Sequence, residues 1–238
     1  MAWNSWKRMT KSVKNGGLGF QDLQSFNDAL LAKVSWRVLT TLDCLLSRVL
    51  LGKYCQSSHF LDSQTPNSAS HGWRIICIDR DLLKPHLGKL LGNGSSTPIW
   101  REPWLSTKTP LLPTGPTTEA SQILRVSHLF HPETMEWNKE MILQILSEYE
   151  RVILLLRPSK NGGLDRWAWL PTPNGVYSIK SSYYEVLNIE EQITTNSGNP
   201  ETYDWKARLW NSKCPPKIKL FLWKAMQNVL PVGENLKS

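Results

Sequence analysis

Apolar positions recur with two different periods along the chain. Phe26, Leu30, Val34 and Val38 return every fourth residue, and Leu31, Trp36 and Leu39 fill the remaining sides. That spacing predicts a helix from Ser25 to about Thr41, apolar nearly all round, as in a helix packed between neighbours. Asp43 is positioned to cap a second helix reaching about Tyr54, with Leu46, Val49 and Leu50 in phase. Residues 56–70 are polar and read as an exposed loop. A third helix is expected after Ser70, from Trp73 to about Leu83, stopping before Pro85.

The period then changes. Asn93-Gly94, between Leu90-Leu91 and Ile99-Trp100, predicts a first β-hairpin. Trp167 and Trp169, the Thr172-Pro-Asn-Gly175 turn and Val176 to Lys180 predict a second. A helix is expected from Trp137 to about Leu156, and another from about Ser181 to Leu187. A polar, flexible connection follows from Glu190 to Thr202. The expected fold is α+β, mostly helical with two short β-hairpins, in two loosely coupled sub-domains. One covers residues 1–105 and the other 122–238, with a Thr/Pro linker at 106–121 between them.

The last helix is expected to open at Pro215-Pro216 and run to about Val229. Ile218, Phe221, Leu222, Ala225 and Val229 form an ordinary core stripe. The opposite side carries Leu220, Trp223 and Met226 beside lysines. Two readings of that second side compete: packing against another piece of protein, or a tryptophan that stacks a base while lysines hold phosphates.

Charge sharpens the choice. The net charge is +8, but residues 1–60 are net +5 and residues 201–238 net +4, around a slightly acidic middle at 101–200. Basic ends of this kind are either solvated faces or contacts for nucleic-acid phosphates.

Catalytic constellations are absent from the sequence. No H-E-x-x-H, G-x-S-x-G or phosphate-loop motif occurs, and Asn15-Gly-Gly-Leu-Gly-Phe20 reads as a structural turn. The five histidines and four cysteines show no zinc-ligand spacing. Asp79 and Asp81 lie two apart on a helix and point roughly 200° from each other, so they cannot share an ion and read as surface or capping carboxylates. No cofactor, metal, small-molecule substrate or membrane contact is therefore expected. The absence of a secretory leader and of cysteine pairs points to an intracellular protein, nuclear or cytoplasmic.

Several stretches together resemble one family. Asn15-Gly-Gly-Leu-Gly-Phe-Gln-Asp-Leu23, Gly72-Trp73-Arg74 and Ile99-Trp-Arg-Glu-Pro-Trp104 are similar to the region downstream of the polymerase domain in plant LINE-type (non-LTR) retrotransposon reverse transcriptases. Asn174-Gly-Val-Tyr-Ser-Ile-Lys-Ser181, Leu209-Trp210, Pro215-Pro-Lys217, Phe221-Leu-Trp223 and Leu230-Pro231 resemble the start of that family's zinc-binding domain, here truncated. Departures include Thr10 where the family has a cysteine, and Glu102 in place of an aspartate before Pro103-Trp104.

The resemblance implies a non-catalytic connector that binds an RNA or DNA backbone. Its other partners would be the polymerase and zinc-knuckle/ribonuclease H segments of the parent polyprotein. The expected contacts are Lys7, Arg8, Lys11, Lys14, Lys213, Lys217, Lys219, Trp223 and Lys224. The alternative is an inert relic or scaffold of a decayed element.

Overall fold

The computed structural model describes residues 5–56, 58–115, 119–131, 134–159, 162–195 and 203–230. In chain order come α1 (Trp6–Thr10), α2 (Leu23–Thr40), α3 (Leu45–Tyr54), α4 (His71–Leu83) and strand β1 (Leu87–Leu90). Then follow the single turn α5 (Glu119–Gln122), α6 (Lys139–Leu146), α7 (Glu150–Leu155) and strand β2 (Arg166–Trp169). Helices α8 (Ile179–Thr195) and α9 (Pro216–Met226) complete the order. This is the mostly helical α+β class expected. Two compact units divide the chain: residues 1–26 with 187–238, and residues 27–186.

In the larger unit α2 is helical as expected but buries a different stripe. Ala29, Ala32, Ser35, Val38 and Leu39 are buried, whereas Leu30 is exposed and Val34 half-buried. Small side chains let other backbone approach closely. Ser35 Oγ donates to the Ile76 carbonyl of α4 at 2.9 Å, and Tyr177 Oη donates to the Ala29 carbonyl at 2.6 Å. Burial pushes the Tyr177 hydroxyl pKa up to about 12. Helix α4 begins as expected, with the Ser70 hydroxyl accepting from the Trp73 N–H. The N-cap position of α3 is held by Cys44, not Asp43, and no side chain there makes a capping hydrogen bond.

The expected hairpins are replaced by one sheet. Strands β1 and β2 pair antiparallel with each other, Leu87 opposite Trp169 and Leu90 opposite Arg166. The Asn93-Gly94 turn does not return a strand because Asp165 holds it. Gly92 and Gly94 N–H donate to Asp165 Oδ1 at 2.7 and 2.9 Å. Ser96 N–H, the Ser96 hydroxyl and the Thr97 hydroxyl donate to Oδ2 at 3.1, 2.9 and 2.8 Å. Burial opposes ionisation of this carboxylate, but these donors outweigh it and hold the pKa below the usual range. At residues 172–175 the turn forms, and Trp169 N–H donates to the Gly175 carbonyl at 2.8 Å. Ile179 is already helical, which leaves no length for a second strand.

A second apolar cluster of the larger unit gathers Ile99, Trp104, Val126, Leu129, Ile142, Leu146 and Ile153. The single helix expected from Trp137 to Leu156 is broken by a 3₁₀ turn at Ser147–Tyr149. The break re-phases the chain so that Ile142, Leu146 and Ile153 all reach that core. The Thr/Pro stretch does not separate two sub-domains. Its described residues lie inside the larger unit, with Thr114 N–H donating to Tyr149 Oη at 3.1 Å and Pro113 buried. Helix α8 is longer than expected and continues through Thr195, into the stretch expected to be flexible; residues 196–202 lie outside the described residues.

Asp79 and Asp81 sit in opposite environments. Asp81 is a surface carboxylate, 3.0 Å from Arg80 Nη2 and 2.9 Å from Lys84 Nζ. Asp79 corrects the surface reading. It is 3 % exposed, its Oδ2 has no hydrogen-bond partner, and burial together with nearby Asp28 raises its pKa to about 7.

Candidate nucleic-acid interface

The smaller unit is made from both ends of the chain, and both ends are basic. Within it, residues 5–26 and 203–230 hold ten Lys and Arg against two acidic side chains. Over the whole unit, residues 1–26 and 187–238, eleven Lys and Arg stand against six Asp and Glu, a net +5 of the chain's +8. The two carboxylates of residues 5–26 and 203–230 are engaged in backbone capping. Asp22 accepts from Ser25 N–H at 2.9 Å and from the Ser25 hydroxyl at 3.0 Å, and hydrogen bonding to Ser25 lowers its pKa. Asp204 accepts from Ala207 N–H at 2.9 Å.

The turn at Asn15–Phe20 is structural, as expected, and it organises the unit. Gly16 has φ +82°, which an L side chain rarely adopts, and a Cβ there would lie 2.7 Å from Trp205 Nε1. Leu18 N–H and Phe20 N–H both donate to the Met9 carbonyl, folding the segment back on α1. The Gly16 carbonyl accepts from Trp223 Nε1 at 2.8 Å and from Gln227 Nε2 at 3.1 Å. Gly16 is thus the point at which α9 is attached to the N-terminal segment.

This attachment places the expected contact residues. Lys7 and Arg8 lie on α1, Lys11 just after it, and Lys14 in the 3₁₀ turn Val13–Asn15; all four are exposed. Lys213, Lys217 and Lys224 are also exposed. Lys219 is half-buried and donates through Nζ to the Trp210 carbonyl at 2.6 Å, so it braces the turn before α9. Among the described residues, none of the ten basic side chains of this unit is in an ion pair. Unpaired surface cations are free to exchange their counterions for phosphates.

Trp223 is a correction. It is 2 % exposed with its N–H committed to Gly16, so its ring is not offered to a base. Helix α9 is turned relative to the expected orientation. Trp223 is its one fully buried residue, while Ile218, Phe221 and Leu222 of the expected core stripe are exposed. Phe221, 57 % exposed, lies four residues after Lys217 and three before Lys224, on one helix face with both. On the N-terminal segment, Trp6, next in sequence to Lys7 and Arg8, and Phe20 are each 46 % exposed, with ring centroids 6.0 Å apart. Exposed aromatics among unpaired cations match the stacking-and-phosphate pattern of single-strand binding.

Two further basic residues belong to the set. Lys206 and Arg208 are exposed on the π-helical turn Lys206–Trp210, and the Arg208 guanidinium carbon lies 5.2 Å from the Tyr203 ring centroid. The charge count of residues 201–238 contains them. Only the folded turn shows that they share a unit with Lys7 to Lys14.

Among the described residues, no group of three or more His, Cys, Asp or Glu is placed to hold a metal. No helix there is long and apolar enough to cross a membrane.

Residues 177–238 match the family described as zinc-binding in reverse transcriptase. That stretch contains a single cysteine, Cys214, and no histidine, so its residues do not make a zinc-ligand set. Two curated relatives come from Arabidopsis thaliana. One, named an uncharacterized mitochondrial protein, is 39 % identical over 114 residues, covering 48 % of this chain and 74 % of that protein. The other, named "Putative ribonuclease H protein", is 29 % identical over 225 residues, covering 92 % of this chain but 35 % of that protein. No solved structure matches. The ordered motifs, the zinc-binding-family match and these relatives agree: the chain belongs to the plant retrotransposon reverse-transcriptase family, in the region that leads into its zinc-binding domain.

Proposed function

We propose that the chain is a non-catalytic connector of a LINE-type reverse transcriptase that binds an RNA or DNA backbone through its smaller unit. The observation that carries this reading is the concentration of charge. Ten basic side chains, none in an ion pair among the described residues, sit in residues 5–26 and 203–230 of that unit beside only two acidic ones. Lys7, Arg8, Lys11, Lys14, Lys206, Arg208, Lys213, Lys217 and Lys224 are the phosphate contacts in this reading, and Trp6, Phe20 and Phe221 the stacking surfaces. The reading assigns no catalytic residue; synthesis and hydrolysis would belong to other segments of the parent polyprotein.

Titration of a labelled mixed-sequence oligonucleotide at several salt concentrations tests it. Each neutralised phosphate contributes roughly −0.7 to the slope of log affinity against log salt for a single strand, so six contacts cost about two to three decades between 50 and 200 mM. Replacing Lys7, Arg8, Lys11 and Lys14 together by Gln should flatten the slope by about three. Equal affinity at low and high salt overturns the proposal.

A scaffold without nucleic-acid affinity is the second reading. The observation favouring it is the exposed apolar row Ile218, Leu222 and Met226 on α9. The same titration separates the two.

A further inference from the structure

The larger unit contains a cleft outside the basic surface. Lys89 and Trp167 face each other across β1 and β2, and Lys89 Nζ lies 4.3 Å from the Trp167 ring centroid. The same Nζ is 2.8 Å from Glu102 Oε2, with the two side chains 7 % and 15 % exposed. Lys89 takes up only part of the acceptor capacity of Glu102, since a carboxylate offers about four acceptor sites. Lys89 N–H also donates to the Pro103 carbonyl at 3.1 Å, which fixes the Glu102 loop against β1.

Two hollows of about 560 and 540 Å³ meet at these residues, and Trp167, His59 and Glu102 line both. Arg101 lines one and Arg166 the other. Both arginines are exposed, and among the described residues neither is in an ion pair. Each hollow is within the size range of small-ligand sites.

We infer that this cleft binds an unstacked nucleobase against Trp167, with the attached phosphate on Arg101 and an exocyclic amine directed to Glu102. Each part of such a ligand meets a group able to hold it. A flat π-face suits the half-buried indole that Lys89 steadies, a phosphate suits an arginine fork, and a base amine suits a buried carboxylate. A simple anion would leave Trp167 and Glu102 unused. A purely apolar ligand would leave both arginines without partners. The site does not depend on the basic surface of the smaller unit.

Photocrosslinking with a short single strand carrying 5-iodocytosine tests the site in the full chain, with 5-iodocytidine monophosphate as the second arm. Trypsin cleaves after Arg166 and Lys180, so an adduct on Trp167 appears in the peptide 167–180. An adduct there with either probe is the expected result. Labelling by the monophosphate assigns the site to free nucleotides, and labelling by the strand alone to single-stranded nucleic acid. Arg101→Gln, a surface change, should lower the yield about fivefold, the scale of one exposed charge contact. Adducts confined to residues 5–26 and 203–230 would overturn the cleft while sparing the basic surface. Adducts confined to 167–180 would do the reverse, and adducts at neither would overturn both.

Discussion

The Trp223 indole N–H donates to the Gly16 carbonyl at 2.8 Å, joining residues 207 positions apart. This bond attaches the basic C-terminal helix to the basic N-terminal segment within one unit. Bringing like charges together costs energy, which buried contacts such as this one must offset.

Substitutions at that joint should loosen the smaller unit. Trp223→Phe removes the donor but keeps an aromatic ring, and should cost about 1 kcal/mol, since Gln227 still donates to Gly16. Trp223→Ala should cost about 3–5 kcal/mol through the cavity it leaves. Gly16→Ala should also destabilise, because a β-carbon meets Trp205 and the φ of +82° is unfavourable. Hydrogen exchange across residues 5–26 would show each effect; unchanged protection in Trp223→Ala would contradict the joint.

Asp165→Asn should weaken the loop at residues 92–97. The amide presents donors to a nest that already consists of donors, at a cost of about 1–3 kcal/mol. The folded pKa of Asp165 lies below the unfolded value of 3.8, so the carboxylate stabilises the fold above that pH. The advantage of wild type over Asp165→Asn should be full near neutrality and shrink as pH falls below about 4. Urea unfolding of both proteins at several pH values measures it.

Asp79 has the opposite sign. Its pKa rises from 3.8 to about 7 on folding, so the folded state binds the extra proton between those values. Stability at this site should therefore be greatest at the acid end of that window and decline as pH rises toward 7. Asp79→Asn should remove the decline and raise the melting temperature at pH 8 by about 4 °C or more. A melting temperature at pH 8 equal to wild type would show that Asp79 is not a buried charge.

Arg80 secures the loop before α4. Its Nη1 donates to the Phe60 carbonyl at 3.0 Å, the Ser63 carbonyl at 2.6 Å and the Ser63 hydroxyl at 3.0 Å. Arg80→Met should cost about 2 kcal/mol or more by leaving these buried oxygens without a charged donor. Limited proteolysis should then cut within residues 58–70 faster than in wild type.

Two expected helix starts were legible from a cap or a proline. Ser70 before α4 and Pro216 at the start of α9 are local signals, and both elements start within two residues of expectation. Faces were less legible than elements. The buried side of α2 is marked by Ala29, Ala32 and Ser35, which a search for large apolar residues passes over. On α9 both sides are apolar, so periodicity alone could not choose between Phe221 and Trp223 as the inward residue. The bond to Gly16 made the choice. The candidate cations were legible as charge, but Lys206 and Arg208 gained meaning only from sharing a folded unit with the N-terminal set.

By itself the sequence determined the helical α+β class, the ordered family motifs and the excess of positive charge at both ends, because composition and short-range spacing are local properties. Tertiary structure alone decided that β1 pairs with β2 instead of closing two hairpins, that Asp79 is buried, and that the two basic ends form one unit. The physical reason is range. Pairing, burial and charge clustering depend on residues far apart in the chain, and nothing in the sequence near Asn93 reveals that its loop will be held by Asp165.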